Sequence, residues 1–237
     1  MSGLLQTKYT IIDLSSMKIP HPLTSDDHGF LFNTDMSRID VLYNLYWYGI
    51  FPWDSMGNIG SFYFPRKRYI IYPEKIKVPK SMRSYFNLSK YTVTFDQNFR
   101  EVMMYCRHVK RNHQNGTWIS DQFENSYLQL HEEGLAHSLE VWEDDYLVGG
   151  LYGVNVGKVF TGESMFSLTP NASRFALISL ANMLSSLNFS FIDCQVINPY
   201  LESFGGEEIS CESFFEKMKH NYFEESIVDN WGELKLY

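Results

Sequence analysis

Apolar side chains recur every third or fourth residue in five stretches of the chain, the spacing that places them on one face of a helix. The pattern predicts helices within residues 37–49, 95–109, 120–134, 171–187 and 211–221. Ser37, Ser120 and Asn171 stand where three of these helices would begin, and short polar side chains favour that capping position. Gly49 and Gly134 stand where two of them would end.

Between the helices, apolar and polar residues alternate in a way that predicts strands. "HSLEVWED" and "YLVGGLYGVNVG" form a predicted hairpin around Asp144 and Asp145, and "VFTGESMFS" is the next predicted strand. "FIDCQV", residues 191–196, is the last one. The aromatic segment 50–73 is predicted as loop, strand, loop, strand, and residues 1–36 as irregular.

This order of elements predicts an α+β fold in which helices cover one mixed sheet. We place a boundary near residue 66, which divides the chain into a small N-terminal domain, residues 1–66, and a larger domain, residues 67–237. The 237 residues, of which 44% are hydrophobic, are enough to bury a substantial core.

The formal net charge of −8 argues against a protein that binds nucleic acid over its whole surface, since such proteins are usually basic. Residues 66–90 reverse this balance locally, with eight Lys and Arg against the single acid Glu74. The stretch either guides a phosphate backbone or is a solvated loop. Trp53 and Trp118 lie in turn-rich segments, where an indole stacks on a nucleobase or anchors a loop.

The three cysteines are too few and too scattered for a disulfide framework, and no pair has the spacing of metal ligands. We therefore expect free thiols in a reducing compartment, the cytoplasm. No apolar run reaches the roughly 20 residues of a membrane-spanning helix, so we expect no membrane segment. Neither a metal nor a cofactor is indicated.

Asp193 and Gln195 are two polar residues in an otherwise apolar predicted strand, and alternation would place them on one face. A carboxylate bonded to the amide would orient the amide oxygen toward an attacking amine. The alternative is a satisfied polar pair at a strand end. Glu163 also has apolar neighbours and needs a partner, either an internal one such as Arg174 or a bound cation.

Five segments together resemble, in order, the motifs of the leucyl/phenylalanyl-tRNA–protein transferase family. They are "GIFPWDS", "GTWIS", "LHEEGLAHSLEVWEDDYLVGGLYGV", "FTGESMFSLTPNASRFAL" and "IDCQVINPYLESFGGEEI". The resemblance runs from about Gly49 to Phe215. The family's "WWSPDPR" reads "FYFPRKR" here, which keeps Pro65 and Arg68 but loses the tryptophans.

The resemblance implies a small N-terminal domain followed by a domain like that of the Gcn5-related acyltransferases, a GNAT-like fold. It implies an enzyme that moves Leu or Phe from Leu-tRNA or Phe-tRNA to the N-terminal α-amine of a protein. The usual acceptors begin with Arg or Lys, and the new N-terminus marks them for degradation by the N-degron route. We expect a monomer that needs no cofactor.

The resemblance also implies roles for individual positions. Asp193 and Gln195 match the catalytic pair, and Glu163 matches the acid that faces the basic N-terminal residue of the acceptor. The remaining matches fall into three groups: Trp53, Ser55 and Trp118 near the 3′ adenosine of the tRNA; Leu151, Phe160, Leu177, Leu184 and Ile192 around the aminoacyl side chain; and Lys80 and Arg83 along the tRNA backbone.

Three other functions remain open at this point. An acyl-CoA-dependent acetyltransferase would need a glycine-bearing pyrophosphate loop, and "SLTPNASRF" has no glycine. A related transferase that prefers acidic acceptors is disfavoured by the charge of Glu163. A non-catalytic RNA-binding module would need the basic stretch, but not Glu163, Asp193 and Gln195 together.

Overall fold

The computed structural model describes residues 11–87, 90–108, 120–224, 226 and 231–234. The α-helices in these ranges are α1 Ile39–Trp47, α2 Arg83–Asn87, α3 Phe99–His108, α4 Asp121–Glu132, α5 Ala172–Ser186, α6 Pro199–Glu202 and α7 Cys211–Asn221. The strands are β1 Phe30–Asp35, β2 Phe51–Met56, β3 Ile59–Tyr63, β4 Lys67–Ile71, β5 Thr92–Phe95, β6 Ala136–Glu143, β7 Tyr146–Val156, β8 Val159–Ser167, β9 Phe191–Asp193 and β10 Glu207–Ser210.

The strands form two sheets: β1 to β3 belong to the first, and β4 to β10 belong to the second. The first is antiparallel, in the order β1-β3-β2, and the second has seven strands in the order β10-β4-β9-β8-β7-β6-β5. All neighbours in the second sheet are antiparallel except β8 and β9, which are parallel and are connected through α5. The predicted mixed sheet is confirmed.

The parallel pairing of β8 with β9 is short. Only residues 159–161 of β8 pair with residues 191–193 of β9, although β8 continues to Ser167. The neighbouring pairs β7–β8 and β6–β7 are registered over most of their length. A gap therefore opens in the middle of the large sheet beyond Thr161 and Asp193.

Helices cover both faces of the large sheet. On one face, a buried cluster packs α5 against the sheet and includes Leu151, Phe160 and Leu177. On the opposite face, a second cluster joins α1, α3, α4 and α7 to the sheet and includes Tyr46 and Phe214. This second cluster takes residues from both sides of position 66, so the predicted domain boundary stays a prediction.

No helix within the described ranges is both long enough and apolar enough to cross a membrane.

Several predicted elements are confirmed. The hairpin turns at Asp144, and β8, α5 and α7 lie where the pattern places them. The Ser120 hydroxyl accepts a hydrogen bond from the Phe123 N–H at the start of α4. Gly134, just after α4, has a φ of +73°, a conformation that suits glycine at a helix end.

Other predictions are wrong at the ends of elements. Ser37 does not cap α1, because its N–H is bonded to Asp35 and the helix begins at Ile39. The helix predicted from residue 95 begins at Phe99, because residues 92–95 pair with β6 as β5. Asn171 precedes α5, but its side-chain amide donates to Tyr85 instead of capping the helix.

Besides β5, four elements lie where no regular structure was predicted, namely β1, α2, α6 and β10. The aromatic segment 50–73, predicted to contain two strands, contains three: β2, β3 and β4. The last predicted strand is also too long: β9 ends at Asp193 rather than at residue 196. Each of these segments is four to six residues long or shorter than predicted. A segment this short contains too few residues to show a helical or strand periodicity, and its pairing partners lie far away in sequence.

Asn221 ties the end of α7 to the turn between β7 and β8. Its Oδ1 accepts from the Lys158 N–H at 2.8 Å, and its Nδ2 donates to the Val156 carbonyl at 2.8 Å. We predict that Asn221→Ala lowers the free energy of unfolding by about 2–4 kcal/mol, because one buried and one partly buried backbone group lose their partners. Urea denaturation measures this change. Lys219→Ala, at an exposed site on the same helix, should change it by less than about 0.5 kcal/mol; equal effects would contradict the prediction.

Candidate active site

A cavity of about 1130 Å³ lies where β8 and β9 part. Its wall is built from β2, β7, β8, α5 and the segment after β9, and includes Trp53, Leu151, Phe160, Glu163, Leu177 and Gln195. Most of the wall is apolar, with a few polar side chains at the gap in the sheet. A largely apolar cavity with a few convergent polar groups is the usual form of a small-molecule or active site.

Glu163 reaches the cavity because β8 bulges at this point. Gly162 pairs with Gly153, and Ser164 pairs with Tyr152, so Glu163 is one extra residue in the strand. A bulge of this kind re-aims a side chain. The Glu163 carboxylate accepts hydrogen bonds from the hydroxyls of Tyr46, at 2.8 Å, and Tyr127, at 3.1 Å.

Tyr46 and Tyr127 are fully buried, on α1 and α4, and their hydroxyls also contact each other. Neither tyrosine stands out in the sequence as a site residue, because an aromatic residue on an amphipathic helix is typical of a core. Their role depends on how α1 and α4 pack beside β8. No signal in the sequence alone distinguishes them from other buried tyrosines.

Gln195 lies on the other side of the gap, in the left-handed region with a φ of +64°. Its Nε2 donates to Glu163 Oε1 at 3.0 Å, and its backbone N–H donates to Asp193 Oδ1 at 2.9 Å. A non-glycine residue in this conformation is held there by its surroundings, and such residues cluster at functional sites. The three polar residues singled out in the sequence are therefore neighbours.

Asp193 itself faces away from the cavity and pairs with Arg68. Arg68 Nε lies 2.7 Å from Asp193 Oδ1, and Nη2 lies 2.5 Å from Oδ2. Both side chains are about 1% exposed. The guanidinium lies over the rings of Phe51 and Phe214, with its central carbon 4.6 Å and 4.3 Å from their centroids.

Two sequence-based interpretations need correction. Asp193 bonds the backbone N–H of Gln195, not its side-chain amide, because β9 has ended and the left-handed turn rotates that amide toward Glu163. Arg174 is not the partner of Glu163. It lies over Tyr200, 4.9 Å from the ring centroid, and donates to the Ser203 hydroxyl.

Burial raises the pKa of Glu163 from its ordinary value of 4.5 to about 7. The hydrogen bonds from Tyr46 and Tyr127 oppose this rise, whereas the nearby charge of Asp193 adds to it and that of Arg68 lowers it. Burial and the charge of Glu163 in turn raise the phenol pKa of both tyrosines. A cation entering the cavity beside Glu163 would favour the ionised carboxylate.

Four of the five residues matched to the aminoacyl pocket line the cavity: Leu151, Phe160, Leu177 and Ile192. Leu184 is fully buried on α5 and is not among the lining residues. Leu180, one turn after Leu177, lines the cavity and was not singled out. The helical spacing from Leu177 was the signal that could have identified it.

Of the described residues matched to the tRNA, Trp53 is the one that lines the cavity. It is 41% exposed, and the Ser55 hydroxyl is 2.6 Å from that of Ser120. Trp118 lies outside the described residues. Lys80 and Arg83 are exposed at the start of a short helical segment, before and within α2.

The basic stretch is less uniform than its sequence indicates. Arg68 is buried against Asp193, so it contributes nothing to the surface. Lys67 pairs with Glu208 at 2.7 Å, and Lys90 pairs with Glu143 at 3.3 Å. Among the described residues, no three His, Cys, Asp or Glu side chains are grouped so that they could hold a metal ion.

The family model described as leucyl/phenylalanyl-tRNA protein transferase matches residues 70–219 of the chain. This range contains Glu163, Asp193 and Gln195. A relative from Christiangramia forsetii, named leucyl/phenylalanyl-tRNA–protein transferase, is 44% identical over 84% of this chain and 95% of its own. Relatives with the same name from Flavobacterium johnsoniae and Shewanella halifaxensis are 42% and 38% identical. They cover 82% and 92% of this chain, respectively, and each is matched over 92% of its own length.

A solved structure of L-PGS from Bacillus licheniformis matches with a TM-score of 0.38 and 12% identity. The match covers 76% of this chain and 61% of that chain. A likeness this weak has no bearing on the site.

The raised pKa of Glu163 predicts a pH-dependent stability difference between the wild type and Glu163→Gln. The carboxyl ionises near 4.5 when unfolded and near 7 when folded. The folded wild type therefore binds this proton more tightly, and it loses the resulting stability as pH rises from 4.5 through 7.

We expect the stability of Glu163→Gln relative to the wild type to increase between pH 5 and pH 8, measured by urea denaturation at each pH. Gln129→Ala, at an exposed site on α4 without a titratable group, provides the control and should show a flat difference. A difference that is equally flat for Glu163→Gln would contradict the raised pKa.

Proposed function

The chain belongs to the leucyl/phenylalanyl-tRNA–protein transferase family, and on that premise we propose that it transfers Leu or Phe to proteins whose N-terminal residue is Arg or Lys. The transfer would mark these proteins for degradation by the N-degron route. The proposal includes a monomeric enzyme in the cytoplasm and a GNAT-like larger domain. One observation carries it: Gln195 and Glu163 are bonded to each other at the rim of an apolar cavity.

The donor side of the cavity fits an unbranched apolar side chain. Leu151, Phe160, Leu177 and Ile192 supply apolar walls on the α5 face of the sheet. Leu and Phe have no branch at Cβ, so a narrow apolar pocket admits them and hinders Val and Ile. One methylene is worth only about 1–3 kcal/mol, so we expect some overlap among donors.

Recognition of the acceptor protein depends on charge. Glu163 is the acid at the gap in the sheet, and it is half-buried among tyrosine hydroxyls. An Arg or Lys side chain that binds there pairs with the carboxylate in a partly dry environment, where the interaction is stronger than at an open surface. An acidic N-terminal residue would be repelled, which supports Arg and Lys as acceptors.

The chemistry needs placement more than base strength. The donor ester is already activated, and an α-amine with a pKa of about 7.7–8.0 is partly neutral near neutral pH. Its nitrogen attacks the ester carbonyl carbon, the bond to the ribose oxygen breaks, and the proton lost by the amine passes to that oxygen. Alignment of the reacting groups contributes up to about 7–11 kcal/mol in favourable cases.

Gln195 is the residue best placed to align the amine. Its Nε2 is held by Glu163, so its Oε1 is left to accept a hydrogen bond from the attacking amine. Asp193 supports this role from outside the cavity wall, since its carboxylate accepts a hydrogen bond from the Gln195 backbone N–H. In this proposal Gln195 touches the substrate, whereas Asp193 acts through the peptide that it binds.

The tRNA would approach from the side of Trp53 and Ser55, whose positions match those near the 3′ adenosine. An indole that is partly exposed at a cavity rim is suited to stacking on a base. Lys80 and Arg83 are exposed and supply positive charge for the phosphate backbone. Because the whole chain is acidic, this contact must be local.

The first test is transfer itself. We predict that the wild type adds the mass of one Phe residue to a Lys-starting peptide in the presence of Phe-tRNA. Gln195→Ala should lower kcat by about 10²-fold, because the attacking amine loses the group that aligns it. Mass spectrometry of the peptide measures both. Gln129→Ala, on the exposed face of α4, is the control. Wild-type kcat in Gln195→Ala would show that another group aligns the amine.

The second test addresses acceptor choice. We predict that Glu163→Gln lowers kcat/KM for Arg-starting and Lys-starting peptides by about tenfold or more, because the half-buried anionic partner of the cation is lost. A citrulline-starting peptide, which is neutral and shaped like the Arg peptide, should lose much less. An equal loss for both peptides would assign Glu163 to the alignment of Gln195 and not to acceptor charge.

A further inference from the structure

We propose that Arg68 is a positioning residue for aminoacyl transfer: it fixes Asp193 and, through Asp193, the turn that presents Gln195 to the cavity. This inference rests on the proposed function and extends it to a residue outside the cavity wall. Arg68 lies on β4, and Asp193 ends the neighbouring strand β9. The two strands pair at this point, with Ile70 opposite Asp193.

The contacts form a chain from Arg68 to Gln195. Asp193 Oδ1 accepts from both Arg68 Nε and the Gln195 N–H, at 2.7 Å and 2.9 Å, and Oδ2 accepts from Arg68 Nη2. A two-point fork of this kind fixes the plane of the carboxylate as well as its position. The oxygen that holds the Gln195 peptide is therefore held in place by the guanidinium.

Arg68 is itself held tightly. Its Nη2 also donates to the Gly49 carbonyl at 2.9 Å, and its central carbon lies over the rings of Phe51 and Phe214. A lysine could neither form the fork nor stack in this way. Because Phe51 also lines the cavity, the guanidinium connects one wall of the cavity to the turn at Gln195.

The turn needs such support because of the backbone of Gln195. A glutamine at a φ of +64° is strained and relaxes to negative φ unless it is restrained. The restraints are the N–H bond to Asp193, a bond from the Tyr69 N–H to the Gln195 carbonyl at 3.2 Å, and the side-chain bond to Glu163. Loss of the first would let the peptide rotate and carry the amide away from Glu163.

Arg68 also affects the charge of the site. The groups that face Glu163 are the hydroxyls of Tyr46 and Tyr127, the amide of Gln195, and the charges of Asp193 and Arg68. The Asp193 charge raises the pKa of Glu163, and the Arg68 charge lowers it. If Arg68 is replaced by a neutral residue while Asp193 stays ionised, the acid limb of the transfer profile should move to higher pH.

The chain contains a matched control for this pair. Arg38 and Asp40 form the same fork at the surface, with Nε to Oδ1 at 3.3 Å and Nη2 to Oδ2 at 2.6 Å. Arg38 is 67% exposed. Arg38→Met therefore removes an arginine–aspartate fork of similar geometry that has no contact with Gln195.

The experiment measures kcat and KM for Phe transfer in Arg68→Lys, Asp193→Asn, the double variant Arg68→Met with Asp193→Asn, and Arg38→Met. Arg68→Lys should lower kcat by at least about tenfold, with KM for both substrates changed by less than about threefold, because misalignment affects the reacting atoms more than binding. The double variant should match Asp193→Asn, since Arg68 acts through Asp193. Arg38→Met should match the wild type.

The pH profile of Arg68→Met, measured where that variant folds, should show the shift of the acid limb to higher pH. If Arg68→Met does not fold, the positioning role is tested by kcat in Arg68→Lys and in the double variant, which leaves no unpaired buried charge. Wild-type kcat in Arg68→Lys would overturn the proposal. A double variant more than about tenfold slower than Asp193→Asn would also overturn it, since Arg68 would then act by another route.

Hydrogen exchange separates this proposal from the proposed function. In Arg68→Lys, the Gln195 amide should exchange at least about tenfold faster than in the wild type, because its acceptor is no longer fixed. The Cys194 amide, bonded to the Tyr69 carbonyl at 2.9 Å, should stay protected. Unchanged exchange at Gln195 would overturn the role of Arg68. If Gln195 exchanges faster in Arg68→Lys than in the wild type, as expected, but the wild type transfers no Phe, the proposed function alone is overturned.

Discussion

The separation of β8 from β9 beyond Thr161 and Asp193 is the constraint on which the site depends. Two parallel strands that pair over three residues and then part leave a passage through an otherwise continuous sheet. The passage has different surroundings on its two sides, with apolar residues around α5 on one side and tyrosine hydroxyls from α1 and α4 on the other. The opening is therefore apolar on one side and polar on the other.

Two local distortions shape the rim, and each serves a particular side chain. The bulge in β8 turns Glu163 toward α1 and α4, and the left-handed residue after β9 turns Gln195 toward Glu163. In regular strands both side chains would follow the alternation of the sheet. Backbone strain is tolerated here because hydrogen bonds to buried partners hold each residue in place.

The charges behind the rim are arranged so that no described carboxylate at its centre lacks a donor. Asp193 is paired with Arg68, and Glu163 is bonded to two phenols and an amide. Removal of one partner of a buried ion pair leaves an uncompensated charge, so such a pair is fixed by both of its members. The pairing explains how the charged side chains of Arg68 and Asp193 can lie buried beside the aromatic rings of Phe51 and Phe214.

The elements with long patterns and the residue types of the site can be read from the sequence. The hairpin around Asp144, the helices α4, α5 and α7, and the family motifs that contain Glu163, Asp193 and Gln195 were all legible without coordinates. Their signals are local, since periodicity, caps and motif spacing involve residues close together in the chain. The short elements β1, β10 and α6 gave no such signal.

Which side chains bond to one another follows from the packing of distant segments and could not be read from the sequence. Arg68 and Asp193 are 125 positions apart, and Tyr46 and Glu163 are 117 apart. Alternation along one strand linked Asp193 to the side chain of Gln195, but the strand ends at Asp193 and the amide turns to Glu163. Contacts between distant segments depend on how helices and strands pack, and a pattern read along a single strand does not contain that information.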